Sequence, residues 1–583
     1  MTLLQLLESR LSLAIETVLG EKTAVAVTPA ADLRFGDYQS NVAMVNAKKH
    51  GKNPRALAQE IIDAIDLVGI ASAEIAGPGF LNFRVFPEAY AVLANELLGD
   101  ERLGLPQIGG GKTVVIDFSA PNVAKPMHVG HIRSTIIGDT LCRVARALGF
   151  EVIADNHIGD WGTQFGMILY GWKNLLDEKA LAADPITELV RLYRDVNNAG
   201  KENPETRELC KAELVKLQAG DEENLAIWNR CIDLSKEGLQ KIYGRLDVSF
   251  DHWLGESYYN DRLSGLVDEL LGNGIARVSE GAVCVFSDET KKPENDPFKI
   301  KNETGWADFP MIVRKSDGGF NYATTDLATL EFRKSEWKAD SVWYVVDHRQ
   351  SLHFQQLFDV AGRIGLDGMD LRHISFGTIL GKDGKPLKTR SGDLPQLADL
   401  LDEAVAASAI TVAERSRVDT DEERKALAEL IGISAVKFTE LAHHRSSDYV
   451  FDLEKMLALQ GDTAPYLQNA YVRSRSIWRK LGDEAPKELA PVSLSEEAEI
   501  HLARLLVRFG EVVPTVLDDF RPNLLANYLL EVARAFHSFF EACPVLKADS
   551  VEIRDSRLSL CELTSRTLKQ GLGLLGIAVP ERM

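Results

Sequence analysis

The chain has 583 residues, 45% apolar and 26% charged, which excludes a disordered or collagen-like polymer and provides for roughly three to five folded domains. No run approaches about 18 consecutive apolar residues, so no membrane-spanning helix and no membrane partner is expected. The formal net charge of −20 weighs against a nucleic-acid partner, but it is a sum over the whole molecule and leaves room for a local basic face.

The first twenty residues carry Glu8, Arg10 and Glu16 at helical spacing, with no basic start and no small-residue cleavage site. They predict a folded amphipathic helix rather than a signal peptide. Residues 1–108 read as a small α+β domain closed by the alternating strand Gly79–Phe86 and a helix over 87–98. The Gly/Pro-rich stretch 104–112 is a linker. Its Gly111-Lys112-Thr113 imitates the end of a P-loop, but Pro106 stands where the first glycine is required and a strand, not a helix, follows.

Residues 109–400 predict a Rossmann-like parallel-sheet domain. A strand over 113–118, a helix over 131–149 and a strand over 151–159 form its opening βαβ unit. Charged amphipathic helices over 174–275 predict a helical insertion, placed around 174–300. Residues 307–326 predict a hairpin turning at Ser316-Asp317-Gly318-Gly319 and running into a helix. Further strands are expected over 342–347 and 372–380. Residues 401–583 read as an all-α bundle with no strand. The six cysteines are scattered with no CxxC pair, which excludes a zinc ribbon and a disulfide framework and fits a reducing, cytoplasmic location.

The most informative segment is Asp117 to His131, between the first strand and first helix of the sheet. Ligands bind at this edge, and a helix N-terminus favours phosphate. His128 and His131 are three apart, on one side of the first turn, where two imidazoles can donate to ATP phosphates as charge develops. Gly130 lets the adenine approach the backbone, and Lys125 adds a cation. The loop Asn156–Gln164 follows the second strand at the same edge. There His157 and Gln164 are candidates to touch a bound substrate, against the alternative of a rigid polar loop.

His128-Val129-Gly130-His131 is a form of the HIGH signature of class I aminoacyl-tRNA synthetases. The longer strings over 119–141 and 154–167 resemble those of arginyl-tRNA synthetases, and the resemblance runs through essentially the whole chain. It implies an enzyme that activates arginine with Mg-ATP and esterifies it to tRNA, the 2′-OH by class analogy, with tRNA bound before activation. The implied substrates and partners are ATP with Mg2+, L-arginine and tRNA for arginine; no protein-ligated metal, no DNA and a monomer are expected. The second class signature, KMSKS, does not occur. Its counterpart reads Leu387-Lys388-Thr389-Arg390-Ser391, with Ser391 where the second lysine would fall. The resemblance moves part of that lysine's role to Lys125. It leaves Lys388 catalytic and Lys382, Lys385 and Arg390 as phosphate-binding charge.

A guanidinium is a planar fork of donors and calls for rigid acceptors, preferably a carboxylate. Asp117, Asn122, Tyr322, Asp326 and Gln350 stand at positions matching the arginine pocket that the resemblance implies. The family often has a Gly-Ala-like turn before that glutamine; this chain has Asp347-His348-Arg349. Residues 31–44 resemble the family's tRNA-contacting N-terminal domain, with Phe35, Tyr38, Gln39 and Asn41 as candidate base contacts. The C-terminal bundle resembles the shared anticodon-binding domain, and Tyr471 and Arg475 lie on its basic, aromatic-interleaved segment 464–480. Three rival readings stay open: another class I synthetase, a small nucleotidyltransferase, and a non-catalytic tRNA-binding paralogue.

Overall fold

Four strands form one parallel sheet. The computed structural model describes residues 1–583 apart from 304, 388–393 and 417. The strands run in the order Asp370–His373, Ser341–Val345, Thr113–Phe118, Glu151–Asp155. All neighbours are parallel, with Tyr344 opposite Asp117 and Asp117 opposite Asp155. The two central strands are almost wholly buried, as expected for a sheet covered on both faces. From the 113–118 strand the chain goes first to one side and later to the other. The crevice outside the carboxyl ends of 113–118 and 341–345 is therefore the switch point where such sheets bind ligands.

The helix Gly130–Ala147 lies close against this sheet, and Gly138 permits the approach: a Cβ there would stand 2.2 Å from the Phe118 ring. Its Arg133 is buried and donates to Glu440 at 2.7 Å, and Arg133 Nη1 donates to the Ser447 carbonyl at 3.0 Å. Residues 435–456 accordingly belong to the same compact unit as the sheet, which comprises 108–410 and 435–456. A buried ion pair of this kind is invisible to composition.

Four helices make up the insertion between 178 and 246, each opened by a side-chain cap from Asp177, Asp184, Asn203 or Asp221, two of them followed directly by proline. They bury Leu189, Leu192, Leu217 and Cys231 against Val123, Ile158 and Phe165. The insertion is not helical throughout. Strands Ala276–Ser279, Ala282–Val285 and Met311–Arg314 form an antiparallel sheet, and Lys299–Asn302 pairs with Gly305–Asp308. The predicted hairpin over 307–326 does not form. Met311–Arg314 finds its partner in Ala282–Val285 instead, and after the turn at 315–319 Asn321 caps the helix Tyr322–Ser335. The region 372–380 also splits, into Asp370–His373 and a short strand, Ile379–Leu380. The latter pairs with Tyr449–Val450, a strand where none was expected.

The second compact unit holds 1–107, 411–434 and 457–583. Its N-terminal part is an antiparallel sheet ordered Thr28–Pro29, Tyr38–Ser40, Phe80–Val85, Ala71–Ala76, flanked by the helix Leu3–Leu19 with a Thr2/Gln5 capping box. The helices from Ala464 to Leu574 complete it. Two side chains offered as RNA contacts are core. Tyr38 is 1% exposed with its hydroxyl on Glu511, and Tyr471 is 3% exposed on the inner face of Ala464–Leu481. Neither can stack on a base, because helical and strand period turned both inward. Phe35 is 53% exposed, Asn41 is exposed, Gln39 is half-buried, and Arg475 is partly exposed and paired with Glu562 at 2.6 Å.

Candidate active site

The segment leaving the 113–118 strand is strained. Ser119, Ala120 and Ala124 all have positive φ, at 71°, 43° and 58°. Such conformations cost about 1–3 kcal/mol each outside glycine and persist only where surroundings over-determine them. Here the surroundings are explicit. The Ser119 amide donates to Ser134 Oγ at 2.8 Å, the Ala120 amide to Asn156 Oδ1 at 3.1 Å, and the Ala124 amide to Ser235 Oγ at 3.0 Å. Ser235 and Tyr243, which meets Ser119 Oγ at 2.6 Å, both come from the insertion. The insertion thus holds the loop in place.

The loop holds the two histidines together. The Gly130 amide donates to His128 Nδ1, and the His128 amide donates to His131 Nδ1, each at 3.1 Å. A backbone N–H can only donate, so His128 Nδ1 is an acceptor and its ring proton sits on Nε2, while His131 Nδ1 also lies 3.3 Å from the His128 carbonyl. Burial pushes His131 down to about 4, with the neighbouring His128 acting in the same direction. Burial, Arg349 and Lys125 also lower His128. The two imidazoles, both held below the ordinary histidine value, have ring centroids 3.9 Å apart. The turn is clamped from outside: the Val129 amide donates to the Pro395 carbonyl and the Leu397 amide to the Met127 carbonyl, each at 2.9 Å.

The cations divide. Lys125 and Arg349 lie close enough to depress His128; Lys125 also sits 5.3 Å from the centre of the Tyr193 ring. Lys382 reaches Asp452 at 3.5 Å, and Lys385 stands exposed on the tight turn closed from Gly381. Lys388 and Arg390 lie outside the described residues.

The acidic side chains gather on the same sheet edge. Asp117 does not face the crevice as a bare carboxylate. Arg333 Nη2 donates to Asp117 at 2.6 Å and to Asp155 at 2.7 Å, with the guanidinium fully buried. Asp117, Asp155 and His157 offer donor atoms within 4.8 Å of one another, but this guanidinium already supplies the positive charge a metal ion would bring. Asp326 is half-buried and receives His353 Nε2 at 2.6 Å, while Tyr322, 57% exposed, packs edge-on to His353. Gln350 and Asn122 are exposed; Asn122 bridges Gly159, where an added Cβ would come within 2.5 Å of its Oδ1. Gln164 starts the helix Gln164–Leu175 and is half-buried.

Sequence reading missed Glu256. Burial first, then the negative charges of Asp326 and Asp160, lift its carboxyl to about 7, against His157 and the Trp161 amide. A half-buried acid within reach of another acid's charge suits a cation. Its only local signal is the preceding Gly255, where a Cβ would collide with the Asp160 carboxylate at 2.2 Å.

The comparisons agree with this geometry. The catalytic-domain model of the class I tRNA synthetases (R) matches residues 93–453. The chain belongs to the arginyl-tRNA synthetases of class I. The arginyl-tRNA synthetase N-terminal domain matches 3–85 and the DALR anticodon-binding domain 467–583. The arginine–tRNA ligase of Pseudomonas entomophila is 44% identical over 590 residues, covering all of both chains. The arginyl-tRNA synthetase structure from Plasmodium falciparum superposes with a TM-score of 0.82 at 28% identity, over 100% of this chain and 99% of that one. The fold is also that of the Thermus thermophilus enzyme, with a TM-score of 0.81, 24% identity and full coverage of both chains. A synthetase of this family is an enzyme that charges tRNA with arginine, using ATP.

Proposed function

We infer that the sheet edge carries out both half-reactions of arginine charging. One observation supports this above all: the histidine pair follows a strand of the parallel sheet that also carries Asp117 and Asp155, and the charge of Asp326 reaches Glu256. ATP enters as its Mg2+ complex, with the metal as part of the substrate. The α-carboxylate of arginine attacks the α-phosphorus, a C–O–P bond forms and the bond to pyrophosphate breaks. Charge gathering on the phosphates is met by the His128 and His131 rings and by Lys125 and Arg349. Lys382, Lys385, Lys388 and Arg390 add charge from the 381–393 segment, and Gly130 leaves room for the adenine.

The amino acid is a cation at both ends. Its α-carboxylate must lie at the histidine loop, so its α-ammonium falls to Asp117, with Asn122 beside it. The guanidinium then extends to Glu256 and Asp326, with Tyr322 over it and Gln350 at the rim. His157 and Gln164 face the ribose or the tRNA end. In the second step a terminal ribose hydroxyl of tRNA, the 2′-OH, attacks the adenylate carbonyl and AMP leaves. We assign residues 1–108, through Phe35, Gln39 and Asn41, to the tRNA body and 401–583, through Arg475, to the anticodon, around the catalytic region 109–400. We also propose a cytoplasmic monomer that binds tRNA before activation; no helix among the described residues is long and apolar enough to cross a membrane.

The test is ATP–pyrophosphate exchange with each amino acid, with and without tRNA. Exchange should require arginine and tRNA. Exchange with lysine but not arginine, or none with tRNA present, would end this reading.

A further inference from the structure

The pocket proposed for arginine already contains an arginine of the chain itself. Arg333 comes from the helix Tyr322–Ser335, whose first turn supplies Tyr322 and Asp326. Its side chain is fully buried beneath the sheet edge, lies 5.3 Å from the centre of the Tyr344 ring, and joins two carboxylates on adjacent strands through one nitrogen. Asp117 and Asp155 are direct neighbours in the parallel register. Without a cation between them, two carboxylates this close would share a proton rather than both ionise. The cluster is not a self-contained structural salt bridge. Asp155 Oδ1, Arg333 Nε and Nη1, and both nitrogens of His157 are buried with no protein hydrogen-bond partner. Buried polar atoms left over in this way occur where a polar group is still to be accommodated.

We propose that Arg333 is a positioning residue that sets the direction in which arginine enters. An unoccupied Asp117–Asp155 pair would be a bidentate acceptor, as attractive to a free guanidinium as Glu256–Asp326. By filling it permanently, Arg333 leaves the substrate guanidinium one seat only. It also leaves the second oxygen of Asp117 for the α-ammonium. Nη2 spans both carboxylates because a guanidinium nitrogen offers two protons in a fixed plane; a lysine ammonium matches the charge but not that plane. This inference rests on the assignment of Asp117 and Glu256–Asp326 to the two ends of arginine.

Steady-state exchange in the presence of tRNA tests it, with arginine and ATP varied separately. Arg333→Met should lower kcat/KM for arginine by about 100-fold, with KM for ATP moving less than about threefold. Arg333→Lys should recover about a tenth of the native value. A simple alkylguanidine, titrated by calorimetry, should bind one equivalent per native chain and two per Arg333→Met chain, since the vacated acid pair becomes a second seat. The proposal is overturned if arginine kcat/KM in Arg333→Met stays within about threefold of native. It is equally overturned if arginine and ATP parameters worsen together with no recovery in the lysine variant and one alkylguanidine site throughout. Should Arg333→Met not fold, Asp155→Asn carries the test: Arg333 then neutralises Asp117 alone, and arginine KM should rise about fivefold at constant ATP KM. An unchanged arginine KM in that variant overturns the proposal. Failure of the underlying reading looks different, because the native chain itself would then not exchange with arginine.

Discussion

The two ends of the site are built on opposite principles. The nucleotide end is local: fifteen consecutive residues, Asp117 to His131, supply its histidines, its lysine and its strained backbone. Its polar groups are backbone amides and neutral rings, and its charges are positive. The amino-acid end is assembled from far-apart residues, Asp117, Asp155, Glu256, Asp326 and Arg333, and its charges are negative save for one buried guanidinium. The contrast follows from the ligands. Phosphates are anions that a helix start and a few donors can meet, whereas an amino acid with two cationic groups needs acids converging from several elements.

The largest effect should come from the acidic end. Glu256→Gln removes the charge without changing shape, and arginine KM should rise about 100- to 1000-fold with kcat far less altered. A change in ATP KM of similar size would abolish the distinction between the two ends. At the other end His131→Ala should lower kcat about 100-fold at nearly constant arginine KM, read by single-turnover adenylate formation. Lys125→Ala should lower kcat about 30-fold while tRNA binding, measured by filter retention, stays nearly native. An unchanged rate would return the missing KMSKS charge to the 381–393 segment. The smallest effect is in pH. Glu256 must be ionised to seat a guanidinium, and its carboxyl is held at about 7. Arginine KM should therefore rise about three- to tenfold as pH falls from about 8 to about 6, and Glu256→Gln should remove that slope. The ATP end should show no matching rise, because His131 is already neutral across this range, its value held at about 4.

The sequence by itself determined the local half of the protein. Strand, turn and helix over 113–147 were legible because one short continuous apolar run passes through a turn into a long helical stretch, and the HVGH string lies between them. The helical insertion and the C-terminal bundle were legible for the same reason. Only the tertiary structure decided which partners distant residues take. It turned Tyr38 and Tyr471 into the core. It gave Met311–Arg314 a strand from Ala282–Val285 in place of a hairpin of its own, and it bound Glu440 to Arg133. It brought Glu256, with no motif to mark it, within reach of the charge of Asp326, and it set Arg333 between Asp117 and Asp155. Periodicity reports which face of an element is buried; it carries no information on which charge waits on the other side, and that pairing is what makes the amino-acid end of this site.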